Sequence, residues 1–345
     1  MANRSQAVLI GSETLLGREI RDITASSAPE LQLRLVAADE EKPGTLTRLG
    51  DEPAVVEPLE AETLSEAAMV FLAGSGESSR KALALVDAQE EEAPLVIDLT
   101  YAAEERPDVR LRAPLIERES EADRDDVEDP AEATVQVIAH PAAIALAMFL
   151  RRVHRNDAIR RSVIQILAPA SEQGAAGVEE LQNQTVSLLS FKSMPRAVFD
   201  AQLGYNLLAR YGEEAPLSLE DSELRIERHL ATLLNLPGEG EGAPLPSLRL
   251  IQAPVFHGYS FSAWVQFESN PDLEAIESGL AAGSIEVRGA EFEPPTNVGS
   301  AGQSGITVGA VAPDRNDPEA CWFWLVTDNL RLMAENAVAA ARELL

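Results

Sequence analysis

The chain has 345 residues, of which 45% are hydrophobic and 25% are charged, and this composition is typical of a globular protein with two domains. Its 57 acidic residues outnumber its 28 lysines and arginines, so the formal net charge of -29 repels nucleic acid and anionic membrane surfaces. One cysteine excludes an intramolecular disulfide, and no apolar run approaches the roughly 20 residues of a membrane helix. These features predict a cytoplasmic protein.

The first part of the chain alternates short apolar runs with helical patterns. Continuous apolar strands that alternate with helices are typical of a parallel sheet covered on both faces. An acid-rich stretch at 117–132 predicts a solvated surface excursion. The predicted strands are 7–10, 33–37, 69–72, 95–98 and 135–139, with helices that end near residue 25 and that span 77–89.

The pattern changes after residue 141, where strands follow one another with fewer helices between them. Such an order predicts a largely antiparallel or mixed sheet. The predicted helices are 142–154, 177–191, 218–235 and 328–345, and the predicted strands are 162–168, 248–256, 259–268, 285–289, 306–312 and 321–327.

A glycine loop joins the first predicted strand to the first helix. Gly11 and Gly17 bracket this loop, which is the arrangement that lets a backbone approach the diphosphate of a dinucleotide. The middle glycine position holds Thr14, and Glu13 brings a carboxylate that opposes a diphosphate. From the residues alone, a cofactor site and a loop that only connects strand to helix both stay open.

Three acids, Asp39, Glu40 and Glu41, follow the second predicted strand. A carboxylate there can bind the ribose hydroxyls of NAD and repels the 2′-phosphate of NADP. NAD is therefore the possible cofactor, and NADP is disfavoured. The four histidines are scattered along the chain and do not have the spacing of a metal site. The candidate dinucleotide contacts are Gly11, Thr14, Leu15, Gly17, Asp39, Gly74 and Ser75.

Several short segments, in this order and spacing, resemble the aspartate-semialdehyde dehydrogenases over nearly the whole chain. The resemblance is strongest to the Usg-type paralogues of that family, whose biochemical role is not established. The most specific segment is FWLVTDNLR at 323–331 followed by AENAV at 334–338. The other segments are 11–17, 72–76, 96–98, 137–141, 170–174, 252–260 and 295–299.

The resemblance implies an α/β fold with two domains. An N-terminal Rossmann domain at 1–141 is completed by a C-terminal helix, 328–345, that packs back on it. The domain at 142–327 carries a mixed sheet, and the resemblance implies that it forms a homodimer.

The strand at 259–268 supports the expectation of a dimer. Alternation places Phe261, Ala263, Val265 and Phe267 on one face and Trp264 on the other, so both faces carry apolar side chains. A second copy of the sheet can cover the second face. Alternatively, helices 177–191 and 218–235 cover the sheet within one subunit and leave a monomer.

The resemblance also implies a chemistry that this chain lacks. The family's enzymes use a cysteine thiolate as nucleophile and a histidine as acid and base. The nucleophile position is occupied here by Ala143, and the histidine position by Tyr259, with His257 two residues earlier. A phenol is a poor proton shuttle at neutral pH. No catalytic residue is therefore assigned.

The groups that bind the substrate's anions are replaced as well. Gln252 stands at the position of the carboxylate-binding arginine, and Glu104 at that of the phosphate-binding arginine. Arg106 could serve the phosphate only if the loop shifted by two residues. The family's Glu-x-x-Lys pair aligns with His229 and Thr232.

Three hypotheses follow from these residues. The first is a non-catalytic dinucleotide-fold protein that binds an unidentified small molecule or protein partner. The second is an NAD(P)-dependent oxidoreductase of the semialdehyde dehydrogenase class that acts by a variant mechanism. The third is a structural role, as a homodimer or beside an active paralogue. Loss of several groups together favours a catalytically inactive protein.

Overall fold

The computed structural model describes residues 6–50, 52–65, 67–89, 93–121, 133–236 and 242–344. These residues form two compact units. The first unit contains the described residues up to Glu117, those from 133 to Ala139 and those from Met333 onward. The second unit contains His140–Leu332 and the residues that directly follow Glu117.

The first unit is an α/β structure in which apolar strands alternate with helices. Its helices are α1 (Leu15–Ser27), α2 (Ala61–Leu64), α3 (Gly76–Asp87) and α4 (Pro114–Glu121). Its strands are β1 (Gln6–Ile10), β2 (Gln32–Val36), β3 (Leu46–Leu49), β4 (Glu52–Val55), β5 (Met69–Leu72), β6 (Leu95–Asp98), β7 (Val109–Arg112) and β8 (Val135–Ile138).

Six of these strands form one parallel sheet, in the order β2-β1-β5-β6-β8-β7. The parallel pairing confirms the interpretation of the apolar runs. Apolar side chains on both faces of the central strands are excluded from water, because helices and loops cover a parallel sheet. Strands β3 and β4 form a separate antiparallel hairpin with exposed side chains, which explains why their sequence carries no core signal.

A buried ion network joins β7 to the end of the chain. The guanidinium of Arg112, which is 1% exposed, bonds the Glu117 carboxylate at 2.7 Å and the Gln136 side chain at 2.8 Å. Its third contact is Glu343, at 2.5 Å. Glu117 opens the acid-rich stretch predicted to be solvated, and there the prediction was wrong because Arg112 pairs this carboxylate inside the unit. Residues 122–132 lie outside the described residues.

We expect this network to make a large contribution to the stability of the first unit. Arg112→Ala leaves buried carboxylates without their cation, which costs about 3–5 kcal/mol. Arg342→Ala serves as the control, because it removes an exposed pair with Glu30 at 3.1 Å and should cost about 1 kcal/mol or less. Urea unfolding followed by circular dichroism gives both values, and equal losses would contradict the expectation.

The second unit is built on a mixed sheet. Its helices are α5 (Pro141–Asn156), α6 (Gly174–Leu189), α7 (Leu219–Leu234), α8 (Leu273–Leu280), α9 (Asn297–Ser300) and α10 (Asn329–Glu343), whose C-terminal part belongs to the first unit. Its strands are β9 (Ile159–Ala168), β10 (Ser247–Gln252), β11 (Tyr259–Phe267), β12 (Ile285–Arg288), β13 (Ile306–Pro313) and β14 (Ala320–Thr327).

These strands run in the order β10-β9-β11-β14-β13-β12. The outer pairs are parallel and the inner pairs antiparallel, as the mixed-sheet prediction requires. The side chains of Phe261, Ala263, Val265 and Phe267 are 0–1% exposed, so the alternation predicted for β11 is confirmed.

Helix α5 covers this buried face. Phe149 of α5 meets Phe323 of β14 edge to face, with ring centroids 5.1 Å apart, and α7 packs on α5. Helix α7, which the sequence predicted as 218–235, also contacts the sheet, at β10.

The opposite face of the same sheet carries a row of apolar side chains that are exposed or, for Trp264, half-buried. Val163, Trp264 and Trp322 are register partners on three adjacent strands. Val163 is 45% and Trp322 42% exposed, and Arg161 lies over the Trp264 ring at 5.3 Å.

Among the described residues, no helix is long and apolar enough to cross a membrane.

Candidate functional site

A cluster of buried polar side chains lies at the start of α5 in the second unit. His140 is fully buried, and its ring Nδ1 accepts the Ala142 N–H at 3.2 Å, which caps the first turn of the helix. Its Nε2 lies 2.9 Å from a carboxylate oxygen of Glu172. Since Nδ1 accepts a backbone N–H, the ring proton belongs on Nε2 and is donated to Glu172. Both ring nitrogens are thus engaged.

Glu172 is the anion at the centre of this cluster. Burial alone would raise the pKa of its carboxyl, but the interactions with His140 and with the Tyr259 hydroxyl, together with the positive charge of Arg225, outweigh burial and lower it. Glu172 is therefore ionised when the protein is folded at neutral pH.

Aromatic rings enclose the pair. Tyr259 begins β11 and is fully buried, with its ring 5.9 Å from the His140 ring in an edge-to-face arrangement and 5.9 Å from the Phe261 ring. His229 of α7 is 3% exposed, and its Nδ1 accepts the His140 N–H at 2.9 Å. These contacts fix both the backbone and the ring of His140.

Gln252 has its hydrogen-bonding groups committed in the same way. Its side-chain amide donates to the carbonyl oxygens of Ala168 at 2.9 Å and Ala253 at 3.2 Å. Its side-chain oxygen accepts the Tyr211 hydroxyl at 2.7 Å, and Gln252 itself is fully buried. Both of its N–H donors are used, so the side chain offers no donor to a substrate carboxylate.

The loop before β11 is held by two asparagines. Asn329 accepts the Gly258 N–H at 3.0 Å and the Ser171 hydroxyl at 3.2 Å. Asn297 donates to the Gly258 carbonyl at 2.7 Å and accepts the Ser260 hydroxyl at 3.0 Å. Gly258 has φ of +83°, a conformation that glycine adopts without strain.

The candidate cofactor residues lie together in the first unit. A Cβ on Gly11 would collide with the backbone of Gly74, and one on Gly17 with the carbonyl of Gly11, so these glycines are required by packing whether or not a ligand binds. Leu15 begins α1, and Ser75 caps α3 by accepting the Ser78 N–H at 3.1 Å. Asp39 is exposed and lies 3.6 Å from the Lys81 ammonium.

A cleft of about 680 Å³ opens elsewhere in the second unit, between 209–221 and β10. Arg249 in its wall is paired with Glu223 at 3.2 Å. The excess of acids in the wall does not suit an anionic ligand. The charged residues that line it are Glu213, Glu220, Asp221, Glu223, Arg210 and Arg249.

Comparison with known proteins decides the family. The family model described as "Semialdehyde dehydrogenase, dimerisation domain" matches residues 150–332, which is more than half of the chain. This chain belongs to the semialdehyde dehydrogenase family.

Relatives and solved structures agree with this assignment. The chain is 26% identical to the aspartate-semialdehyde dehydrogenase of Rickettsia bellii, over all of this chain and 99% of the relative. It is 39% identical over 163 residues to the USG-1 protein homolog of Pseudomonas aeruginosa, covering 47% of each chain. The structure of a probable aspartate-semialdehyde dehydrogenase from Pseudomonas aeruginosa superposes with a TM-score of 0.78 at 27% identity, over 98% of this chain and 97% of that one.

Membership of this family gives meaning to the positions singled out from the sequence. Ala143 lies in the first turn of α5 and is fully buried, so a methyl group fills the space beside His140. Arg106, the alternative cation for a substrate phosphate, is bonded to Asp87 at 3.0 Å and to Asp108 at 2.9 Å. Arg106 is thus neutralised by two carboxylates.

The sequence left some of the central residues without a role. Glu172 and Asn329 stand inside segments that carry the family resemblance, but a segment match does not say which side chains meet. The one available signal was an acid at 172 within an otherwise small and polar turn. Among the described residues, no three His, Cys, Asp or Glu side chains are grouped so as to hold a metal ion.

We expect the Glu172 carboxylate to stabilise the second unit in a pH-dependent way. Because folding lowers its pKa from 4.5, its contribution is complete above that value and is lost as the pH falls through the folded-state pKa. Glu172→Gln should therefore lower the free energy of unfolding by about 1–3 kcal/mol at neutral pH. This loss should become progressively smaller as the pH is lowered below 4.5. Urea unfolding of the variant and of the unaltered chain at each pH measures the difference.

Glu179→Gln provides the matched control, since it removes the same charge from an exposed position on α6. Its effect should stay within about 0.5 kcal/mol at every pH. A cost of Glu172→Gln that does not change with pH would contradict the assignment of Glu172 as the buried anion.

Proposed function

We propose that this protein is a catalytically inactive member of the semialdehyde dehydrogenase family that acts by binding, as a homodimer built through its second unit. The observation that carries the proposal is the commitment of polar groups at the former active centre to one another. A methyl group stands at the nucleophile position, and both nitrogens of His140 are engaged. Several required groups are replaced together, and each replacement costs orders of magnitude in rate.

The replacements affect different parts of the reaction. Ala143 cannot attack a carbonyl, and the Tyr259 phenol is buried against Glu172. Gln252 has no free N–H for a carboxylate. Restoring one group would therefore leave the others missing. The identity of the bound small molecule or protein partner stays open within this proposal.

A second candidate is an NAD(P)-dependent oxidoreductase that works by a variant mechanism. The observation in its favour is the His140–Glu172 pair, because a carboxylate that orients an imidazole is a common acid/base device. The hydrogen bond from the Ala142 N–H argues against it, since this bond occupies the lone pair that a general base would need.

The first test is an enzyme assay. We expect the rate of NADP reduction with aspartate semialdehyde, in phosphate or arsenate buffer, to lie at least about a hundredfold below the rate of an active family enzyme assayed in parallel. Ala143→Cys should remain inactive, because Tyr259, Gln252 and Glu104 are unchanged. A rate for the unaltered chain within about a hundredfold of that active enzyme would refute the proposal. Recovery of activity by Ala143→Cys alone would show that the remaining site is intact.

The exposed row on the second sheet face supports a homodimer. Val163, Trp264 and Trp322 form an apolar strip that one subunit leaves open, while α5 covers the opposite face. Closed two-fold dimers are the commonest assembly, and a sheet face can meet its own copy. With a charge of -29 on each chain, the two copies repel, so the apolar contact must outweigh the repulsion.

The second test is sedimentation equilibrium of the 37.1 kDa chain. We expect a dimer that tightens as salt screens the like charges. Val163→Asp should shift the protein to monomer, because it places a carboxylate within the strip. Val55→Asp is the control, since Val55 is 51% exposed on β4 of the first unit and carries the same substitution. Monomer for the unaltered chain at low and high salt would rule out the dimer, and equal effects of both variants would exclude this face.

A further inference from the structure

The strand order of the first unit contains the position at which doubly wound sheets form a crevice for dinucleotides. From β1 the chain passes through α1 to β2 on one side, and it later returns to β5 on the other side of β1. The carboxyl ends of β1 and β5 therefore form the topological switch point of the sheet. The glycine loop between β1 and α1 lies at this point, so a dinucleotide diphosphate would have to meet this loop.

Thr14 spans this crevice. Its hydroxyl lies 2.8 Å from the carbonyl oxygen of Gly11, at the end of β1, and 2.8 Å from that of Ala73, at the end of β5. The same oxygen accepts the Gly17 N–H of the first turn of α1 at 3.0 Å. A glycine at this position would leave the space between the two strand ends open, whereas the threonine side chain links them. It also engages a helix N-terminal N–H that would otherwise face an anion.

Glu41 supplies a carboxylate to the same loop. One of its oxygens accepts the Glu13 N–H at 2.6 Å, and the other accepts the Ala38 N–H at 3.0 Å. A negative group that accepts a loop N–H beside the N-terminus of a helix is in the position that phosphate takes in nucleotide-binding loops. Glu41 is half-buried and burial raises its pKa, although its two amide hydrogen bonds oppose that shift.

The cations close to the loop are paired with other groups. Arg18 and Arg21 both form ion pairs with Glu13, and Arg21 also donates to the carbonyl of Arg48. These contacts neutralise the Glu13 carboxylate by internal pairing and use the arginines that an incoming phosphate would need. Asp39 and Glu40 add further negative charge beside Glu41.

We propose that Thr14 and Glu41 close the nucleotide crevice from within, so that the unaltered chain does not bind NAD or NADP with useful affinity. The Thr14 side chain occupies the space that a glycine would leave open, and the Glu41 carboxylate occupies the place of the ligand's phosphate. The residues present therefore do not fit a dinucleotide as they are arranged. Of the two nucleotides, NADP should have the lower affinity, as expected from the sequence, because its 2′-phosphate adds negative charge near Glu41.

Isothermal titration calorimetry of the full chain with NAD and with NADP tests this proposal. The unaltered chain should give no binding at millimolar ligand. Glu41→Gln keeps the size of the side chain and removes its charge, and it should bring the binding of both nucleotides into the measurable range, about tenfold or more tighter than the millimolar limit set by the unaltered chain. Thr14→Gly combined with Glu41→Gln should bind tighter still. Glu30→Gln is the matched control, because it removes the same charge from an exposed position before the start of β2, at the opposite end of the sheet, and it should still give no binding at millimolar ligand.

Circular dichroism and the melting temperature show whether each variant folds, and Glu41→Gln keeps the test valid if Thr14→Gly unfolds the loop. Micromolar binding by the unaltered chain would overturn the proposal. So would a folded Glu41→Gln variant that binds no better than the unaltered chain, or an equal gain from Glu30→Gln, which would indicate a general charge effect. Calorimetry measures nucleotide binding directly, so these outcomes are distinguishable from those of the enzyme assay, which also requires the groups of the second unit, and from the oligomeric state.

Discussion

The hydrogen bond between His140 and Glu172 is the interaction on which the second unit's polar interior depends. A carboxylate removed from water is stable only when charged and hydrogen-bonding groups replace its hydration. His140 provides this replacement, and its own position is fixed by the Ala142 and His229 contacts. The start of α5, the 170–173 turn, α7 and β11 therefore meet around one buried anion.

The same constraint applies to other polar side chains of both units. A buried polar group whose hydrogen bonds are not satisfied costs stability. In this chain Gln252 bonds to backbone carbonyls and Tyr211, and Arg106 bonds to two aspartates. In the first unit, Thr14 and Glu41 satisfy donors of the glycine loop. These polar groups are thus satisfied by the protein itself, which favours stability.

The local patterns were readable because their physics is local. Apolar runs such as 69–72 predict buried parallel strands, and period-two alternation placed Phe261 and Trp264 on opposite faces of β11. The hairpin β3–β4 escaped prediction because its side chains are exposed and give no core signal. Glu117 was predicted at the surface because the acid-rich run alone does not show that Arg112 pairs with this carboxylate and with the distant Glu343.

The sequence by itself determined the family and the α/β architecture with its mixed second sheet. These depend on residue identity and spacing, which are properties of the chain. Only the tertiary structure decided that Glu172 pairs with His140, that His229 is buried against the same backbone, and that Glu41 caps the loop at Glu13. Each of these contacts joins residues 28 to 89 positions apart, and folding alone brings such residues within hydrogen-bonding distance.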